Sequence, residues 1–184
     1  MVRATALALV LISTQSLALF DAQLLIGSVS GDIGGTSVKD GSTTDVAAHL
    51  DPIPLVPVGF GLRISHRKFD IEGATGSFEG IMVSPEVYAW FPFGSLKPYG
   101  KLGWVASGKF ANDAFSYGGN TLKLTYDVSA SYLGVGVIYS FIPLVGILLE
   151  YETIVDGKLK PDLDPLPSAD LSTATIFIGV EVGL

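Results

Sequence analysis

The chain has no cysteine among its 184 residues, so it has no disulfide framework, thiolate metal site or thiol nucleophile. Charge is sparse: Asp, Glu, Lys and Arg make up 16% of the sequence, against about 25% in ordinary soluble domains. Basic residues are scarcer still, 11 against 18 acidic ones for a formal charge of −7. That balance excludes the basic stripe a nucleic-acid partner requires. Two histidines, His49 and His66, share no zinc-ligand spacing, so neither a metal site nor a cofactor is expected. No apolar run approaches the roughly 18 residues of a membrane-spanning helix. Mean hydropathy is nevertheless +0.49. A greasy chain without a spanning helix must either bury its apolar residues in a core or show them to lipid on alternating strands.

Alternation is what the sequence does have. Ala174, Ile176, Ile178, Val180, Val182 and Leu184 are apolar at every second position, with Thr175, Gly179, Glu181 and Gly183 between them and Phe177 as the large exception. A period of two means a strand with one apolar face. Similar stretches fall at 23–30, 43–50, 58–65, 78–91, 98–109, 122–139 and 146–155, which makes eight strands in all. In the stretch at 122–139 the apolar phase changes after Ala130, which predicts a bulge near Ser131. Pro85 lacks a ladder donor inside the stretch at 78–91 and predicts a second bulge.

Connections alternate between longer, Gly- and Asp-rich segments (31–42, 66–76, 110–121, 156–170) and shorter, proline-bearing, unusually apolar ones. Immersion at a bilayer interface would account for the apolar links. The whole predicts an all-β fold, an eight-stranded antiparallel up-and-down transmembrane β-barrel with short inner turns and long outer loops. The start of the chain reads as a secretory signal over residues 1–18: Arg3, an apolar run from Ala4 to Ile12, and a small-residue site ending at Ala18. Cleavage at Ala22 is the second choice, and the barrel domain would occupy 19–184.

On this register Arg63, Glu86, Lys101, Asp127, Glu150, Glu152 and Glu181 point into the lumen as a polar network, with Lys101 and Glu86 close enough to pair. The bland reading is a buried plug, since eight staves leave room only for side chains. A narrow water-lined path is the sharper one. Aromatic belts are expected at both ends of the strands, marked by Trp90, Tyr99 and Phe141 at the inner end and Tyr126 at the outer. Catalysis is not expected: Ser65 and His66 are neighbours in one strand and face opposite sides.

The segment from Lys97 to Trp104 (KPYGKLGW) and the alternating C-terminal strand resemble those of the small eight-stranded outer-membrane β-barrels of the OmpA, OmpX and OmpW type. The family's closing strand commonly ends in Phe or Trp; here it ends in Leu184. The resemblance implies a bacterial outer-membrane location and a monomeric barrel surrounded by outer-membrane lipids. It also implies delivery to the barrel-assembly machinery through the last strand. The role it implies is non-enzymatic: membrane integrity or surface contact, or alternatively OmpW-like passage of small hydrophobic solutes. A soluble lipocalin-like barrel with its apolar faces turned inward is the remaining alternative, against which stands a polar face of mostly Gly, Ser and Thr.

Overall fold

The computed structural model describes residues 19–51, 56–73, 76–117, 120–162 and 166–183, and in these the chain forms nine antiparallel strands closed into a ring. They are β1 (Phe20–Ile33), β2 (Thr36–Leu50), β3 (Val58–Ile71), β4 (Ser77–Trp90), β5 (Leu96–Trp104), β6 (Ser107–Tyr117), β7 (Asn120–Ile142), β8 (Val145–Pro161) and β9 (Ala169–Gly183). The expected signal at 1–18 and the terminal Leu184 lie outside the described residues. β5 and β6 lie end to end between β4 and β7, so the wall has eight staves, one of them broken. Pairing of β1 with β9, from Asp21↔Gly183 to Ile33↔Leu171, closes the ring, so that among the described residues every strand has a neighbour on both sides.

The predicted irregularities exist, but on the partner strands. β3 and β4 stay in register through Leu62↔Pro85. On its other side β4 pairs Glu86 with Gly103 but Val83 with Ser107, so one extra residue sits in the neighbouring stave at Trp104–Ser107. Alternate residues of a strand address opposite neighbours. Because the Val83 carbonyl accepts from Ala106 N–H, Pro85 faces the same broken stave. Its missing donor therefore falls where the ladder is already interrupted. Near Ser131 the extra residue likewise belongs to β8, between Ser131↔Asp156 and Tyr132↔Ile154.

β7 itself never changes phase. Val128, Ala130, Tyr132 and Ile138 all face inward, so what inverts at Ser131 is the surroundings. In the half of the barrel nearer Phe20 and Gly183, the inner half, the outside is apolar: Leu24, Ile26, Leu62, Ile64, Val135, Leu149, Ile176 and Ile178 are exposed. In the outer half the outside carries Lys68, Glu79, Lys109, Asp127, Lys158 and Lys160. There the inside is a core of Ile33, Phe69, Phe78, Met82, Phe110, Val128, Ile154, Leu159 and Leu171. The wall meets lipid below and water above, and its two faces exchange character at the boundary.

Strand lengths fit this division. β7 has 23 residues and β8 has 17, well beyond the 9–11 or so needed to cross a bilayer. Most described residues of the segments expected as long outer loops are consequently strand. β1 runs to Ile33 and β2 resumes at Thr36 across a turn in which Gly34 and Gly35 both have positive φ, as a two-residue I′ hairpin demands. The lipocalin-like alternative is overturned by the exposed apolar wall of the inner half. Only the projecting outer half has that pattern.

Candidate functional site: the polar lumen of the inner half

Inward positions of the inner half carry charge at every level. Arg63 on β3 is almost completely enclosed and lies at the centre. Its guanidinium forks onto Glu150 of β8, Nη1 to Oε1 at 3.0 Å and Nη2 to Oε2 at 3.3 Å, and reaches Asp45 and Glu152 at 3.4 Å each. Lys101 on β5 donates to Glu150 at 2.6 Å and Glu152 at 2.9 Å, with Glu86 at 3.6 Å. Arg67 donates to the other Glu152 oxygen at 2.6 Å. Hydroxyls donate to the same carboxylates: Tyr99 to Glu150 at 2.6 Å, Tyr132 to Glu86 at 3.0 Å and Ser65 to Asp45 at 2.8 Å. The Phe177 ring supports the cations from one side, 5.4 Å from Arg63 and 5.9 Å from Lys101.

Towards the inner mouth the network continues. His49 has Asp21 at 2.8 Å from Nδ1 and Glu86 at 2.6 Å from Nε2; both contacts are hydrogen bonds only when the ring carries two protons. Glu181 accepts from Gln23 at 2.8 Å and from Lys97 at 2.7 Å. A recess of about 270 Å³, part of it open solvent, is bordered here by Gln23, Lys97, Glu181, Trp90 and Tyr99.

Glycines on neighbouring staves make room for the long inward side chains. A Cβ on Gly61 would come within 2.2 Å of His49, one on Gly103 within 2.2 Å of Tyr132 and one on Gly134 within 2.4 Å of Lys101. Each of these close approaches leaves space for one large group to lie across the lumen. The inward face thus alternates large and absent side chains, which lets long side chains cross a narrow barrel.

Of the seven residues assigned to the lumen from sequence, Arg63, Glu86, Lys101, Glu150, Glu152 and Glu181 lie there, and the Lys101–Glu86 pairing extends to Glu150 and Glu152. Asp127 does not. It stands on the outside of β7 above the apolar belt, 3.4 Å from Lys109, because the polar face turns outward at that height. Of the four belt aromatics only Phe141 is fully outward. Trp90 is half-exposed and stacks on Tyr88 at 5.1 Å, Tyr99 points into the network, and Tyr126 packs 5.5 Å from Phe78 of the outer core. The outer belt expected from Tyr126 is therefore a core instead, and the outward aromatics there are Trp104 and Tyr151.

Sequence reading missed Asp21, Gln23, Asp45, His49, Arg67, Lys97, Tyr88 and Tyr132 as network members. Parity alone finds several of them: Asp45 and His49 alternate with Val46 and Ala48, and Arg67 lies four residues beyond Arg63. Ser65 faces inward and His66 outward, 2.9 Å from Glu79. Outside the membrane, the Thr125 hydroxyl and then Lys109 hold the Asp162 carboxyl below its ordinary range. The exposed Lys39 does the same for Glu72 in the turn after β3.

A closed eight-stave wall, apolar outside and ionic inside, defines the class: this chain has the fold of the small outer-membrane β-barrels. Among solved structures it is similar to Neisserial surface protein A, at 16% identity over 90% of this chain and 97% of that one with a TM-score of 0.67. It is similar also to the outer membrane protein OprG of Pseudomonas aeruginosa, at 14% identity over 93% and 98% with a TM-score of 0.64. A third is Ail, the attachment invasion locus protein of Yersinia pestis, at 15% identity over 89% and 98% with a TM-score of 0.54. No protein-family model and no curated protein matches the chain.

Proposed function

We propose that the protein is a non-conducting, non-enzymatic barrel of the bacterial outer membrane that reinforces the bilayer and presents its outer half to the surroundings for surface contact. It is exported by its signal at 1–18, handed to the barrel-assembly machinery by its last strand, and works as a monomer among outer-membrane lipids. The observation that carries this reading is the double closure of the lumen. An ionic network fills the inner half and a packed apolar core fills the outer half, so a solute would have to displace both. Surface contact suits the charged outside of the projecting half, and Ail, named for attachment and invasion, has the same fold. Planar-bilayer recording tests the closure: purified protein should give no steady conductance, and single Glu→Gln variants at Glu150 or Glu152 should leave the baseline unchanged. Stepwise openings would refute it.

A second reading, passage of small hydrophobic solutes through the wall, is favoured by the break between β5 and β6 opposite Pro85. It places a weak point of the ladder beside the apolar outer core. Uptake of an apolar dye into protein-bearing vesicles, faster than into empty ones and slowed by closing the break, would support it over the first reading.

A further inference from the structure

Among the described residues, the links of the inner rim carry little charge. Among the described link residues there (51, 56–57, 91–95 and 143–144) the one charged group is Asp51, which accepts a hydrogen bond from the Tyr88 hydroxyl. The nearest lysine, Lys97, turns inward to Glu181. Facing out instead are Phe91 and Phe93, 66% and 71% exposed, with Phe141, Ile142 and Leu144.

Several backbone donors at the rim are satisfied within it or deleted by proline. Phe91 N–H bonds the Pro98 carbonyl at 2.9 Å, Phe93 and Leu96 bond each other at 2.7 and 3.0 Å, and Gly183 bonds Leu144 at 2.7 Å. Pro57, Pro92 and Pro143 have no N–H to satisfy. Leu144 is the sharpest sign. It follows Pro143 in a two-residue turn and has φ 72°, a place where glycine is usual. The half-exposed leucine thus presents an apolar side chain from a conformation that L side chains rarely adopt.

Height points the same way. The outward apolar run is Ala174 to Val182 on β9, Ile147 to Val155 on β8 with Thr153 within it, and Val58 to Ile64 on β3. At about 3.3 Å per residue and a tilt near 40° such runs cover only ~15–20 Å of the ~25 Å apolar band of an outer-membrane barrel. The deficit is not made up at the outer edge, where His66 and Lys68 follow on β3, Asp156 and Lys158 on β8, and Ser172 and Asp170 beyond Ala174 on β9.

We infer that the inner rim is a lipid-docking surface: Phe91, Phe93, Phe141, Ile142 and Leu144 are sunk into the headgroup–acyl boundary of the inner leaflet and complete the short belt. The partner is phospholipid. This rests on the membrane-barrel reading, and the test separates the two. The cysteine-free chain allows single cysteines at Phe93, Leu144, Ile178 (mid-wall) and Lys160 (outer half), each labelled with bimane. Each variant is reconstituted in phosphatidylcholine vesicles with and without bromine high on one acyl chain, and its folding is checked by heat-modifiable migration. Labels at Phe93 and Leu144 should lose fluorescence severalfold, as at Ile178, while Lys160 is unaffected. If either rim label behaves like Lys160 while Ile178 is quenched, the rim stands in water, free for a protein partner or beneath a thinned bilayer, and the inference is overturned. If Ile178 also escapes quenching, the membrane reading falls with it.

Discussion

Arg63 contacts carboxylates from β2, β4 and β8 at once, so it ties together staves far apart in sequence. Removing it should be costly because Glu150 and Asp45 would stay buried with too little positive charge. Arg63→Met is expected to lower stability by about 3–5 kcal/mol, read as a lower urea midpoint for protein refolded in vesicles. Adding Glu150→Gln should recover part of the loss, because the orphaned charge goes with it. Gly103→Ala tests the packing rule: its Cβ would meet Tyr132 at 2.2 Å, and overpacking of this kind costs about 1–3 kcal/mol. Tyr132→Ala in the same chain should then relieve the clash, giving a non-additive double mutant. Most lumen charges were legible from parity alone, since a strand has only two faces. Which face meets lipid depends on height, which parity does not carry, and Asp127 and Tyr126 were misplaced for that reason.

At the scale of elements, the informative departures are the broken stave and the long strands. Pro85 signalled an irregular ladder, but a proline reports only its own missing donor, not which strand absorbs the extra residue. The neighbouring stave does so at Trp104–Ser107. Since no ladder partner is waiting for a donor at Pro85, Pro85→Ala is expected to change stability by no more than about 0.5 kcal/mol. A much larger loss would mean that the proline ring itself holds the break. The Gly- and Asp-rich stretches looked like loops because their apolar residues are on the opposite face to those of the inner half. Seen with the outer core in place, Phe69, Phe78, Phe110 and Leu171 alternate as regularly as Ile176 and Ile178. Phe110→Ala should cost about 3–5 kcal/mol in the same unfolding measurement, as in a soluble core.

The whole molecule joins two kinds of barrel end to end. Its inner half is a membrane barrel with an ionic interior, and its outer half is a water-facing barrel with an apolar interior. Composition already required strands instead of helices, and eight amphipathic stretches required a closed wall; both follow from periodicity. Closure of the lumen did not, because it depends on which side chains cross from opposite staves and on the glycines that admit them. Everything proposed about function depends on this wall lying in a membrane. The most direct test is migration of the protein extracted in detergent from the membrane fraction, run with and without boiling. The account predicts a folded form, present only in the membrane fraction, whose mobility shifts on heating. A protein that leaves with the soluble fraction and migrates identically before and after boiling would contradict it.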